Sequence, residues 1–193
     1  MVWSAVLAFF LGSMTWSLLE YAIHRWLGHD VRTRGNVFES EHTRHHATGD
    51  YFAGTLKKLA AAVAALGVVL VPGWWLVGPV QGAAFATGLA GCYGYYEWMH
   101  RHAHTHAPRT AYGRWVRRHH FSHHFSDPRV NFGVTSPIWD FVFGTRRMPG
   151  VIVIPRRLLM PWLVEPGTQE IRSEFRHEYA VRGAAAAARQ EAA

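Results

Sequence analysis

Histidine is the residue type here whose number and spacing suggest chemistry. The 193-residue chain carries fourteen, and thirteen of them fall between His24 and His124. Imidazole is the commonest metal-binding side chain and suits iron, zinc, copper and nickel. Four groups stand out: His24 with His29, His42 with His45 and His46, His100 with His104, and His120 with His123 and His124. Residues three and four apart share a helix face. The spacing therefore predicts that His42, His45 and His46 point at one place, that His120, His123 and His124 do likewise, and that His100 pairs with His104. The five-residue step from His24 to His29 is out of phase with an α-helix. Gly28 is expected to end the helix, so that His29 comes from the turn.

The pattern repeats. Glu20-Tyr-Ala-Ile-His24-Arg25 resembles Glu97-Trp-Met-His100-Arg101, and each is followed by an H-x-x-H-H triplet. Two similar half-sites suit a two-metal centre built between helices. Glu20 and Glu97 precede the ligands at helix ends, and Asp140 is a third such carboxylate. Each is expected either to accept the free ring N–H of a ligand histidine or to be a solvated carboxylate. His102, His106 and His119 break the facing pattern, and His177 stands alone. These four read as structural or solvated imidazoles.

The lone Cys92 offers no thiolate set for a structural zinc site, and ten imidazoles exceed the four ligands of a closed zinc ion. Ten ligands serve two ions of higher coordination. Iron is the redox metal suited to O2 chemistry, and zinc is able to replace it in a purified sample.

Three apolar stretches must position these groups: Val2–Ile23, Leu56–Val77 and Val80–Met99, each near the roughly 20 residues that cross a bilayer core. Pro72-Gly73-Trp74-Trp75 and Gly78-Pro79 predict a turn between the second and third, with paired Trp at the membrane interface. The first stretch has no preceding cation and no small-residue cleavage site, so it reads as a retained helix rather than a signal peptide. Arg25, Arg32, Arg34, Arg44, Lys57 and Lys58 follow the first stretch, and Arg101, Arg109, Arg114, Arg117 and Arg118 follow the third. The positive-inside rule puts both basic segments, and every clustered histidine, on the cytoplasmic side. The formal charge of +7 is thereby explained by span ends, and a nucleic-acid partner is not implied. The weaker patch Val151–Val164 is broken by Pro155 and Pro161, so it is expected to lie at the interface or re-enter partway. Residues 167–193 read as a polar helical tail. The expected fold is an all-α integral membrane protein, with about three to four transmembrane helices, a cytosolic helical histidine-rich cap and a single domain over 1–193.

The four boxes in this order resemble the fatty acid hydroxylase/sterol desaturase superfamily, whose pattern reads H-x4-H, H-x2-H-H, H-x3-H, H-x2-H-H. The stretch Phe132–Thr145 is similar to the segment after the last box in fatty acid hydroxylases, and the resemblance runs over residues 15–146. It implies two iron ions held by the ten patterned histidines, with O2 as co-substrate. It implies a lipid substrate in a bacterial-type inner membrane or an ER-like one. Electrons would come from a separate donor, a small haem protein or a ferredoxin with its reductase. The activity implied is hydroxylation of an unactivated C–H bond in a fatty acyl, sphingolipid or sterol-like chain. Carotenoid hydroxylation or lipid desaturation is the alternative within the superfamily. A membrane metal-binding or transport protein is the alternative outside it, and ligands at span ends rather than at the midplane weigh against that.

Overall fold

The computed structural model describes residues 2–183. Helices dominate: α1 (Val2–Ala22), α2 (Val37–Thr48), α3 (Thr55–Val77), α4 (Pro79–Thr105), α5 (Ala111–Phe125) and the short α6 (Ile138–Val142). The fold is not wholly α-helical. Two three-residue strands, β1 (Ile152–Ile154) and β2 (Tyr179–Val181), pair in parallel with Ile152 opposite Tyr179.

Among the described residues, two helical segments are long and apolar enough to cross a membrane, Val2–Gly28 and Thr55–Val77. Their surfaces expose large apolar side chains such as Trp3, Phe10, Leu56, Val68, Trp75 and Leu76. Water would make so wide an apolar surface costly. α4 covers the third expected stretch, but its composition is more polar.

α4 lies between its neighbours. Gly12 of α1 and Gly88 of α4 let the two backbones touch: a Cβ on Gly12 would sit 2.0 Å from the Phe85 carbonyl oxygen, and one on Gly88 2.1 Å from that of Phe9. Small residues at a crossing bring helices together where no water drives association. α3 runs on through Pro72 to Val77, so the expected turn shrinks to Gly78, whose φ of 91° favours glycine, and Pro79 starts α4.

Beyond the long helices a cap forms around Val116, Phe121, Ile152, Ile154 and Leu163, all fully buried. Val151–Val164 forms no α-helix: it gives β1, a 3₁₀ turn at Arg156–Leu158 and core residues Trp162 and Leu163, because its prolines break helix while its alternating Ile side chains bury. One expectation fails here. The stretch after Gly167 is not a helix as far as Gly183. Ile171, Phe175, Tyr179 and Val181 plug the same core through a bridge, a 3₁₀ turn and β2. The Ala-rich remainder of the predicted tail, 184–193, lies outside the described residues.

Candidate metal centre

The ten patterned histidines converge in two groups of five, and within each group the candidate ligand nitrogens lie within 4.8 Å of one another. The first group is His24, His29, His42, His46 and His123, and the second is His45, His100, His104, His120 and His124. Neither triplet points at one place, contrary to the expectation from helix faces. His42 and His46, four apart on α2, serve the first group while His45 turns to the second. His120 and His124 of α5 serve the second while His123 turns to the first. The physical reason is that adjacent helical positions are about 100° apart, so a helix lying between two centres can feed both.

The local backbone explains the first box. α1 passes into a π-helical turn over Ile23–Gly28, whose i→i+5 bonding matches the five-residue step from His24 to His29. Gly28 is needed for close approach: a Cβ there would press on His42 Cδ2 at 3.1 Å and Phe38 Cε1 at 3.2 Å.

Backbone carbonyls aim several rings. His24 Nδ1 donates to the Phe132 carbonyl (2.5 Å), His45 Nδ1 to Tyr51 (2.7 Å) and His123 Nδ1 to Val130 (2.8 Å). A carbonyl only accepts, so these rings carry their proton on Nδ1 and leave a bare lone pair on Nε2. The Nε2 atoms crowd together. His42 Nε2 lies 2.9 Å from His29 Nε2, His123 Nε2 lies 3.0 Å from His29 Nε2, and His100 Nε2 lies 2.9 Å from His45 Nε2. His24 Nε2, His120 Nδ1 and both nitrogens of His124 are buried with no hydrogen-bond partner among the described residues. Burial pushes His29 and His45 down to about 4 and His46 to about 2, and holds His120, His123 and His124 well below the usual imidazole range, with neighbouring histidines adding to the shift for His46, His120, His123 and His124. The rings are therefore neutral at pH 7, as metal ligation requires. Buried, unpartnered lone pairs at this spacing fit two cations. Nitrogens about 3 Å apart match neighbouring ligands at the roughly 2.0–2.1 Å metal–nitrogen distance known for imidazole.

None of the three carboxylates touches a clustered histidine. Glu20 is buried and accepts from the backbone N–H of Val134 (2.6 Å) and Thr135 (2.8 Å) and from the Thr135 hydroxyl (2.6 Å). Asp140 accepts from the N–H of Phe132 and Gly133 (2.8 Å each), from the Thr145 hydroxyl (2.7 Å) and from His119 Nε2 (3.2 Å). Both act one step removed, by fixing the loop whose Phe132 carbonyl aims His24. Glu97 belongs to neither role: it pairs with Lys58 at 2.5 Å.

The remaining histidines separate cleanly. His102 stacks on Trp98 and His106, outside both groups. His177 is exposed beside Arg114. His119 is buried on Asp140 and stacked on Trp115. Sequence reasoning missed the carbonyls of Tyr51, Val130 and Phe132, since a backbone acceptor has no residue signature. It also missed Arg117, which is buried and donates to the His102, His106 and Gly113 carbonyls, closing the C-terminal end of α4. An arginine three residues ahead of the His120 box was the available signal.

A cavity of about 470 Å³ reaches this centre. Ala61, Ala62, Ala65, Leu66, Leu89 and Ala90 wall its long-helix end, and His42, His45 and His100 close the other, so it touches both groups.

The sequence profile of the fatty acid hydroxylase family matches residues 9–145, which hold every patterned histidine and the Phe132–Thr145 loop. The chain belongs to the fatty acid hydroxylase family. It is 31% identical over 144 residues to a dihydroceramide fatty acyl 2-hydroxylase of Arabidopsis thaliana, covering 72% of this chain and 60% of that one. It is 32% identical over 146 residues to the fatty acid 2-hydroxylase of Homo sapiens, and 31% over 148 to the ceramide very long chain fatty acid hydroxylase of Saccharomyces cerevisiae; these alignments span 71% and 73% of this chain but 38% of each relative. The chain thus spans between about two fifths and three fifths of these relatives' lengths. A solved structure described as full length scs7p, with only the hydroxylase domain visible, superposes with a TM-score of 0.61 at 27% identity, covering 74% of this chain and 57% of that one.

Proposed function

We propose that this family member is a membrane lipid hydroxylase. In this reading the ten histidines hold two iron ions, and O2 with external electrons converts a C–H bond of a fatty acyl chain to an alcohol. The observation that carries it is the apolar cavity ending on histidines of both groups. Bound iron would supply the activation of O2 that no side chain here provides. The chain's own residues do the rest. Trp16, Leu66 and Leu89 hold the alkyl chain and exclude water, the alanines of α3 leave room for it, and the packed ends of α1 and α4 fix which carbon meets the histidines. Zinc would occupy the same imidazoles without redox chemistry.

The relatives named above are 2-hydroxylases of fatty acyl chains or a ceramide fatty acid hydroxylase, which favours carbon 2 over a sterol or carotenoid position. Carbon 2 near the histidines requires the carbonyl group to lie at the polar end of the cavity. That end carries Tyr51, Lys57 and Lys58. We further infer that the histidines face the cytoplasm, following the charge flanks of the long helices, and that the electron donor is a separate protein.

The test is expression in a host containing fatty acids and ceramides, beside a His123→Ala control, with the lipid pools weighed by mass spectrometry. A product one oxygen heavier, oxidised at carbon 2 and absent from the control, supports the reading. Loss of two hydrogens instead would make the chain a desaturase. An unchanged lipid pool from an iron-loaded, reductant-supplied protein would sink it.

A further inference from the structure

Hydroxylation balances as RH + O2 + 2 e⁻ + 2 H⁺ → ROH + H2O, so two electrons must enter from a reductant. If the chain is the hydroxylase proposed above, that reductant must meet it at some surface that leads to the histidines.

A second opening of about 250 Å³ lies on the outer side of α5, away from the lipid cavity. Arg114, Arg118, Arg146 and Arg147 surround it, and Trp115 and His119 form its inner wall. Glu178 is the acid on this rim, bridged to Arg114 at 3.0 Å and Arg118 at 3.4 Å. Arg146 and Arg147 are exposed and have no ion pair among the described residues. Four guanidiniums against one carboxylate leave the rim strongly positive.

What lies behind the opening distinguishes it from an ordinary basic surface. Trp115 stacks on His119 with ring centroids 5.0 Å apart. His119 Nε2 meets Asp140 Oδ2 at 3.2 Å, Asp140 Oδ1 accepts from the Phe132 N–H at 2.8 Å, and the Phe132 carbonyl accepts from His24 Nδ1 at 2.5 Å. A continuous run of two stacked rings, three hydrogen bonds and one residue's backbone therefore joins the basic opening to the first histidine group. His119 and Asp140 are both nearly fully buried, and the lipid cavity touches neither.

The geometry points to this opening as the docking site of an acidic one-electron carrier protein, with electrons entering the metal centre through Trp115, His119, Asp140, Phe132 and His24. Opposite charge steers such a partner and makes the encounter depend on salt.

Two soluble probes test it, an acidic [2Fe–2S] ferredoxin and the acidic haem domain of a cytochrome b5. Each is bound to the detergent-purified, iron-loaded protein and followed by calorimetry from low to physiological salt. At least one probe is expected to bind, and the charge-reversed variant R146E/R147E is expected to weaken it tenfold or more and to flatten its salt dependence. The variant R156E/R157E, whose exposed arginines lie outside the opening, should bind like the parent. A single turnover driven by dithionite reads the metal chemistry without a docked partner, and R146E/R147E should match the parent there. Binding by neither probe, or equal binding by R146E/R147E and the parent, overturns the docking site while the dithionite turnover still reports on the hydroxylase reading. Loss of binding to anionic lipid vesicles in R146E/R147E, with probe binding intact, would make the patch a membrane contact and equally overturn it.

Discussion

Replacing Gly12 by alanine tests whether the α1–α4 crossing positions the metal centre. An alanine Cβ would start 2.0 Å from the Phe85 carbonyl oxygen and 2.8 Å from its carbon, both rigid backbone atoms. Ordinary contact begins near 3.4 Å, so the helices must part by about 1.4 Å at that point. Overpacking of this kind costs about 1–3 kcal/mol. For a chain of this size that lowers the melting temperature by roughly 2–12 °C. The matched control is Gly91→Ala on α4, where a Cβ would meet nothing within 4 Å and alanine's better helix propensity, worth about 1 kcal/mol, should leave the protein as stable or more so. Gly88→Ala faces a similar clash at 2.1 Å with the Phe9 carbonyl, and one separation relieves both. The double variant Gly12→Ala/Gly88→Ala should therefore lose less than the sum of the two. Circular dichroism melts in detergent measure all four proteins, and bound metal per chain shows whether parting α1 from α4 disturbs His24 and His100. If Gly12→Ala and Gly91→Ala melt within a degree of each other, the close crossing is not how these helices meet.

Other perturbations reach the centre by different routes. Asp140→Ala strands the N–H groups of Phe132 and Gly133, at roughly 1–3 kcal/mol for each buried group left unpaired; bound metal per chain should fall, and a metal content equal to the parent's would refute the loop's role. In metal-free protein, His45 is held neutral by burial at about 4 against an unfolded value near 6.5, so its contribution is full above pH 6.5 and falls by about 3 kcal/mol as the pH drops to 4. Melts at pH 7 and pH 5 should separate, and coincident curves would mean that the rings are not buried neutral. His102→Ala and His177→Ala should leave metal content and turnover unchanged, as neither ring belongs to a cluster.

Much of the histidine cluster was legible because the proposed metal ligation demands a residue type, not merely a pattern of polarity. The ten histidines read from spacing are the ten that converge. What spacing alone could not settle was direction. One helix offers a face to each of two centres, so the assignment of His45 and His123 depends on where α2 and α5 lie in space. The carboxylates were harder still. Glu20 stands four residues before His24 and Glu97 three before His100, a difference of about 100° round the helix, and one holds a loop while the other pairs with a lysine of α3. The cap core was misread because Ile152, Phe175 and Tyr179 come from short irregular segments whose burial is decided by long-range packing rather than by local periodicity.

His45 and His123 each stand in the group otherwise built by the other half of the chain. Each half alone thus offers four imidazoles to its own group and lends its fifth. An ion held in either group would tie residues from both sides of the α3–α4 hairpin together. The ordering cost of the second group would then already be met when its own ion arrives. Loading of the two ions should accordingly be cooperative, and a chain with one ion should be scarce beside chains with none or two.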